Sequence, residues 1–173
     1  WTPADTLKER GERDKVPYDL WVRQGHMHAL PGMSLDYLPI CRRIGSMIRD
    51  LELDVIEVAA DRWRLDEFRK DMETAGLEFP IVEFGQGFKS MTPAIDRLEN
   101  LILNGKIRIH YNPVLRWNAA SAVAVEDDAG GRKFSKRKAT GRIDGLVALT
   151  MAVGCATIHA EESGEVTQGF VRL

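Results

Sequence analysis

The chain has 173 residues, of which 44% are hydrophobic and 29% charged, and its formal net charge at neutral pH is -2. This length suits one ordinary domain and this hydrophobic content supports a packed core, so two full domains and wholesale disorder are both excluded. Because acidic residues slightly outnumber basic ones, any binding to nucleic acid must come from a local basic patch rather than from the net charge.

The first half of the chain predicts helices that alternate with strands. Residues 1–15 are polar and predict a loop or a short helix, and residues 18–30 are strand-like up to a Pro-Gly turn. An amphipathic helix capped by Asp36 follows, because apolar residues recur there at helical spacing. We then predict a β-branched interior strand over residues 54–60 and a second amphipathic helix over residues 65–75.

The second half continues this alternation. It predicts a strand over 79–84, then a helix that opens at 92–93 and ends at 105, and then a short helix over 112–120. A hairpin is predicted around 128–131, and a last long helix from 140 or 141 to about 158. Strands that alternate with helices predict an α/β fold whose sheet is covered on both faces. We assign residues 1–158 to one domain and residues 159–173 to a polar tail.

The cysteines and the start of the chain restrict its class further. Cys41 and Cys155 lack the Cys and His neighbours of a zinc site, and their wide separation favours a reducing compartment over a disulfide scaffold. The longest apolar run, residues 146–158, is too short to span a membrane. Since the chain begins at Trp1 without a signal-peptide pattern, we expect a piece of a longer protein.

An aspartate directly after a predicted strand is the first candidate for a functional site. Asp61 follows the strand over 54–60, and α/β folds place their sites at the carboxyl ends of strands. Asp61 would serve equally well as the N-cap of the helix that follows, because aspartate is a common capping residue. Trp63 is expected to pack in the interior rather than to stack on a ligand.

A second aspartate stands at the start of the last predicted helix. Asp144 falls in the first turn, where a carboxylate interacts favourably with the positive end of the helix, and this alone would account for it. The remaining turns are so apolar that the helix must be buried. An isolated acid at its start therefore favours a carboxylate that faces a cleft or a metal ion.

A run of basic residues precedes Asp144. Six of the eleven residues from 132 to 142 are cationic and none is acidic; the cations are Arg132, Lys133, Lys136, Arg137, Lys138 and Arg142. Such a run is usually a solvated loop, but its position beside Asp144 in a protein of negative net charge favours contact with phosphate groups. Asp127 and Asp128, just before the run, are expected to be turn residues.

Four segments carry a resemblance to a known family: PYDLWVRQGHMHALPG (17–32), FGQGFKSM (84–91), NPVLRWNAA (112–120) and SKRKATGRIDGLVALTMA (135–152). In this order and spacing they resemble the C-terminal nuclease domain of tailed-phage terminase large subunits, over residues 1–156. The resemblance implies an RNase H-like fold, in which helices flank a mixed sheet. It also implies a metal-dependent DNA endonuclease that cuts concatemeric viral DNA during genome packaging.

The resemblance further implies two divalent ions, Mg²⁺ or Mn²⁺, held by three acidic residues. Asp61 matches the family's ligand at the end of a central strand, and Asp144 matches the ligand that opens the last helix. Both are therefore expected to be catalytic metal ligands. We expect the family's first ligand and the opening strands to lie upstream of Trp1, so the chain is expected to be a truncated nuclease domain that is a poor nuclease by itself.

The partners implied by the resemblance are double-stranded DNA, an ATPase domain upstream in the full protein, the terminase small subunit and the portal. The implied location is the cytoplasm of the infected bacterial host, with no membrane. The alternative is a non-catalytic DNA-binding or assembly module, or a prophage remnant that lacks the first metal-ligand aspartate. The endonuclease hypothesis requires the Asp61 and Asp144 carboxylates to converge, because they would hold two ions about 4 Å apart. The alternative depends only on the fold and the basic run.

Overall fold

The structure, a computed structural model, describes residues 1–63 and 65–163, with side chains as far as residue 156. Helices alternate with short strands along these ranges: β1 Thr2–Pro3, α1 Leu7–Asp14, α2 Tyr18–Arg23, β2 Ala29–Leu30, α3 Tyr37–Asp50, β3 Val58–Ala60, α4 Leu65–Thr74, β4 Ile81–Glu83, α5 Phe88–Leu103, α6 Pro113–Ser121, β5 Ala124–Glu126, β6 Arg132–Phe134 and α7 Asp144–Ser163. Among the helices of these ranges, none is both long and apolar enough to cross a membrane.

The chain divides into two compact units, the first comprising Trp1–Ile56 with Trp63–Pro80 and the second Glu57–Arg62 with the chain from Ile81 onward. In the first unit α1 packs on α2, α3 packs on α4, and β1 pairs with β2 in parallel. Asp36 caps α3 as predicted, since its Oδ1 accepts a hydrogen bond of 3.1 Å from the Leu38 N–H. The buried apolar side chains of this unit are Tyr18, Trp21, Ile40, Cys41, Leu65 and Met72.

The strand predicted over residues 18–30 is wrong for most of its length, because the segment opens with α2 and only Ala29–Leu30 form a strand. Tyr18 and Trp21 lie three residues apart, both are buried, and their rings meet edge to face with centroids 5.7 Å apart. A spacing of three places both rings on one face of a helix. The aromatic content that suggested a strand is therefore used to bury a helix face, since β-propensity depends strongly on context.

The second unit is built around α7, which packs against α5, α6 and β3. Its apolar cluster consists of Phe84, Met91, Ala94, Ile95, Ile143, Val147, Met151 and Cys155. Val147, Met151 and Cys155 are spaced by four residues and form one buried face of α7, as the apolar sequence predicts, and Ile143 extends this face just before the helix. Gly154 allows this close packing, because a Cβ there would lie 2.7 Å from the tip of the Phe84 ring and 2.9 Å from the Ala94 Cβ.

The strands of the second unit pair in twos. β3 and β4 are parallel, and the pairing extends past the strands with a 2.8 Å hydrogen bond from the Phe84 N–H to the Ala60 carbonyl. β5 and β6 form the predicted antiparallel hairpin. Asp127 shapes its turn, since Oδ1 accepts hydrogen bonds from the N–H groups of Ala129 at 3.1 Å and Gly131 at 2.7 Å. The expectation that Asp127 is a turn residue is confirmed.

The boundaries of two predicted helices differ from those of the structure. α5 begins at Phe88, and Pro93 lies inside the helix rather than in its first turn. The glycines before Phe88 place the start about one turn earlier than the proline suggests. α7 begins at Asp144 because the chain bends at residues 140 and 141, where the helix was predicted to start. It continues to Ser163, past the predicted end near residue 158. Of the predicted tail, residues 164–173 lie outside the described residues.

Both cysteines are free and buried. Burial is the main cause that raises the pKa of the Cys41 thiol, and burial followed by the nearby Glu57 carboxylate raises the pKa of Cys155 to about 11. A neutral, buried thiol is chemically inert.

Candidate functional site

Asp61 directly follows β3, at the carboxyl end of the β3–β4 pair. Because the two strands are parallel, their carboxyl ends meet at one edge, and Gln86 lies in the loop that leaves β4 at this edge. The Gln86 Nε2 donates a hydrogen bond of 2.7 Å to Asp61 Oδ2. Gln86 thus orients the Asp61 carboxylate at the edge where α/β folds place their sites.

Asp144 is the first residue of α7. The sequence places it in the first turn of a helix that begins at 140 or 141, so the predicted start is three or four residues too early. Its side chain is 71% exposed, and its Oδ1 lies 3.9 Å from the Nζ of Lys136. An exposed ion pair of this length contributes little to stability, so the pair does not account for the acid on structural grounds. The carboxylate instead remains accessible at the positive end of a buried helix, where it can receive a ligand.

The segment around Asp144 is held by α6. The Asn118 Oδ1 of this helix accepts a hydrogen bond of 2.7 Å from the Gly145 N–H. Gly141 lies against the Trp117 ring so closely that a Cβ there would be 2.7 Å from the Cζ2 atom. These two contacts, one on each side of Asp144, fix the path of the backbone from which its side chain projects.

Arg132, the first residue of the predicted basic run, is already paired with acids of α5. Its Nε donates a 3.1 Å hydrogen bond to Asp96 Oδ1, and its Nη2 donates one of 2.8 Å to Glu99 Oε2. The hydrogen bond to Asp96, followed by that to Glu99, raises the pKa of Arg132 above its ordinary value. The Thr92 Oγ1 also accepts the Arg132 N–H at 2.8 Å, so this residue anchors β6 on α5.

The other cations of the run are arranged differently. Lys133 places its Nζ 4.4 Å from the centroid of the Phe88 ring, a cation–π contact. Three consecutive exposed cations form the turn that leaves β6, and a fourth exposed cation precedes α7; these are Lys136, Arg137, Lys138 and Arg142. The structure therefore brings Lys136 beside Asp144 and directs Arg132 toward the acids of α5.

The described residues do not contain a complete metal site. Across residues 1–63 and 65–156, whose side chains the structure describes, no three His, Cys, Asp or Glu side chains form a group that could hold a metal ion. Asp127 is engaged by the hairpin turn, where its Oδ1 accepts two backbone hydrogen bonds. The convergence of Asp61 and Asp144 on one ion stays a prediction, as does the third acidic ligand upstream of Trp1.

Sequence reasoning missed two amides that hold the candidate acids and misjudged one aromatic residue. A signal for Gln86 exists, because it lies between two glycines directly after a predicted strand, and a loop at the carboxyl end of a strand is where α/β folds place their sites. Asn118 has no comparable signal, since an asparagine inside a short helix usually faces solvent. Trp63 is 80% exposed, so the expectation that it packs in the interior is wrong.

Comparisons with known proteins identify the fold and the family. The family model for the terminase large subunit, endonuclease domain, matches residues 2–160. The chain is 51% identical over 171 residues to the terminase, large subunit, of Enterobacteria phage HK97. This alignment covers 99% of this chain and 34% of that protein. The chain is also 26% identical over 168 residues to Protein YmfN of Escherichia coli (strain K12), in an alignment that covers 94% of this chain and 36% of that protein.

A solved structure agrees with these matches. The crystal structure of the HK97 bacteriophage large terminase superimposes with a TM-score of 0.85 at 54% identity, over 90% of this chain and 32% of that one. The chain spans about a third of the length of the relatives that it matches. The expected mixed α/β, RNase H-like nuclease fold is thereby confirmed. With a family model that covers nearly all of it and a relative more than half identical, the chain belongs to the terminase large subunit endonuclease domain family.

Proposed function

We propose that this chain is a divalent-metal-dependent DNA endonuclease domain, and that it cuts concatemeric viral DNA during packaging by a phage terminase. The observation that carries the proposal is the placement of two acids in the second unit. Asp61 directly follows β3 and its carboxylate is oriented by Gln86. Asp144 is the first residue of α7, the helix that packs against β3. Membership of the endonuclease family supports the same conclusion.

The donor chemistry of these residues fits Mg²⁺ or Mn²⁺. Both side chains are carboxylates, which hard divalent cations prefer as ligands, and Asp61 and Asp144 would hold the ions together with a third acid from the full-length protein. Bound in pairs, such ions supply an activated water and stabilise charge at the attacking and leaving oxygens of a phosphodiester. Within the chain, Gln86 orients Asp61 and the exposed Asp144 presents its carboxylate at the positive end of α7.

The substrate that we propose is double-stranded DNA, held in part by the exposed cations before α7. These cations and Lys133 make the phosphate contacts in this proposal, whereas Arg132, which belongs to the same run, is paired with Asp96 and Glu99 and also holds β6 on α5. In the full-length protein we place an ATPase domain upstream, and the terminase small subunit and portal as partners. We expect this protein to act in the cytoplasm of the infected bacterial host.

Removal of the metal tests the proposal directly. Plasmid DNA incubated with the full-length protein should be cleaved in millimolar Mn²⁺ or Mg²⁺ and should remain intact after EDTA treatment, because the two acids cannot activate water without the ions. Restored Mn²⁺ should restore cleavage. Cleavage that continues in EDTA would contradict metal dependence, whereas DNA binding without any cleavage in Mn²⁺ would favour the alternative of a non-catalytic binding module or a prophage remnant.

The basic run should contribute to DNA affinity independently of sequence. The test replaces four of its cations with alanine, namely Lys133, Lys136, Arg137 and Lys138. The slope of log affinity against log salt should fall by about 0.9 for each phosphate group that these side chains neutralise in the unaltered protein. The measurement is fluorescence anisotropy of labelled duplex DNA in full-length protein across a salt series.

A control with the same change in net charge separates a direct phosphate contact from a general field effect. The control variant replaces four exposed cations of α3 and α4 with alanine: Arg42, Arg43, Arg49 and Lys70. We expect this control to retain most of the slope. An unchanged slope in the first variant would show that the run is a solvated turn.

A further inference from the structure

The start of α7 lacks a cap from its own sequence. The Ile143 carbonyl accepts the first helical hydrogen bond, 3.0 Å long, from the Val147 N–H, so Ile143 occupies the N-cap position. Its side chain is apolar and buried in the core cluster, and it cannot accept a hydrogen bond. The first N–H groups of a helix require acceptors from elsewhere when the N-cap residue supplies none.

Asn118 supplies this acceptor from a different helix. Its Oδ1 accepts the Gly145 N–H at 2.7 Å, from a position 27 residues earlier in the chain. The Asn118 side chain is buried, with the residue only 2% exposed, so its polar group is committed to this contact. Gly145 makes the approach possible, since a Cβ at this position would lie 2.7 Å from the same oxygen.

We propose that Asn118 is the positioning residue for Asp144. By holding the N–H of the next residue, Asn118 fixes the backbone from which the Asp144 carboxylate projects. Val147, Met151 and Cys155 hold the following turns of α7 in the apolar cluster, whereas the first turn carries the exposed Asp144 side chain and would fray without the Asn118 contact. The inference rests on the proposed function of Asp144 as a metal ligand.

A residue that orients a ligand affects metal affinity more than it affects the fold. When a residue that positions a metal ligand is replaced, the affinity for the metal typically falls by about 10-fold to 100-fold. A cap that serves the helix alone would lower the midpoint of thermal unfolding and leave metal affinity unchanged. Metal binding and thermal stability, measured on the same variants, therefore separate a positioning role from a structural one.

The chain offers a matched control for this comparison. Asp36 caps α3 of the first unit in the same way, because its Oδ1 accepts the Leu38 N–H at 3.1 Å. Asp36→Ala removes a cap from a helix that carries neither candidate acid nor Asn118. Asn118→Asp retains an acceptor at the same position and serves as the conservative variant, since aspartate and asparagine cap helices about equally well.

The experiment measures Mn²⁺ binding to the full-length protein by the electron paramagnetic resonance signal of free Mn²⁺, together with thermal unfolding. We expect Asn118→Ala to weaken Mn²⁺ binding by roughly 10-fold or more, Asn118→Asp to retain most of the affinity, and Asp36→Ala to leave it unchanged. If Asn118→Ala and Asp36→Ala lower the unfolding midpoint alike and neither alters Mn²⁺ binding, Asn118 has a structural role only and the inference is overturned.

Two further variants make the result decisive. In Gly145→Ala the added Cβ collides with the Asn118 Oδ1, so this variant should also weaken Mn²⁺ binding, and it can be measured even if Asn118→Ala fails to fold. Unchanged binding in a folded Gly145→Ala protein overturns the inference. Asp144→Asn tests the proposed function separately. If Asp144→Asn leaves Mn²⁺ binding intact, the assignment of Asp144 as a ligand fails, whatever Asn118 does.

Discussion

Asp61→Asn and Asp144→Asn should each reduce metal-dependent cleavage of DNA by at least about 100-fold, because metal ions contribute several kcal/mol to transition-state stabilisation. Each change keeps the shape of the side chain and removes the negative charge that a hard cation requires of its ligand. The fold should persist, most clearly in Asp144→Asn, since that side chain is 71% exposed. Substitutions at such exposed positions usually change the free energy of unfolding by less than about 0.5 kcal/mol.

The measurement is the rate of plasmid cleavage by the full-length protein in Mn²⁺, with circular dichroism as the check on folding. Asp128→Asn provides the matched control, because Asp128 is an exposed acid in the β5–β6 turn. This control should cleave at the rate of the unaltered protein. Loss of cleavage in the control, together with normal cleavage in Asp144→Asn, would show that the hairpin rather than the start of α7 supplies the ligand.

Phe84→Ala should lower the free energy of unfolding of the second unit by about 3–5 kcal/mol. Phe84 belongs to the apolar cluster between β4 and α7, and its ring lies against the backbone of Gly154. Because Gly154 has no side chain that could move into the vacated space, the substitution leaves a cavity. The cost of such a substitution rises with the volume that the neighbours fail to fill.

Urea unfolding followed by tryptophan fluorescence and circular dichroism measures this decrease in stability. Tyr111→Ala is the control, since Tyr111 is an aromatic residue of the same unit with 70% of its surface exposed. Its removal should change the free energy of unfolding by less than about 0.5 kcal/mol. Equal decreases in the two variants would mean that the Phe84 ring does not hold α7 in place.

The sequence by itself determined the features that depend on near neighbours. The helix starts at Asp36 and at Asn112-Pro113 were predicted correctly, because each capping side chain accepts hydrogen bonds from N–H groups two or three residues ahead. The β5–β6 hairpin was equally readable, since Asp127 bonds only groups within its own turn. The apolar face of α7 and the acid at its start were also predicted, because both lie within one continuous segment.

Only the tertiary structure decided which distant side chains meet. The hydrogen bond between Gln86 and Asp61 joins residues 25 positions apart, and it exists because β3 and β4 pair in parallel. The basic run shows the same limit, since Arg132 is one more cation in the sequence but is held in the structure by Asp96 and Glu99 of α5. Helix and turn signals report interactions within about four residues, whereas these contacts depend on how whole elements pack, which no local pattern encodes.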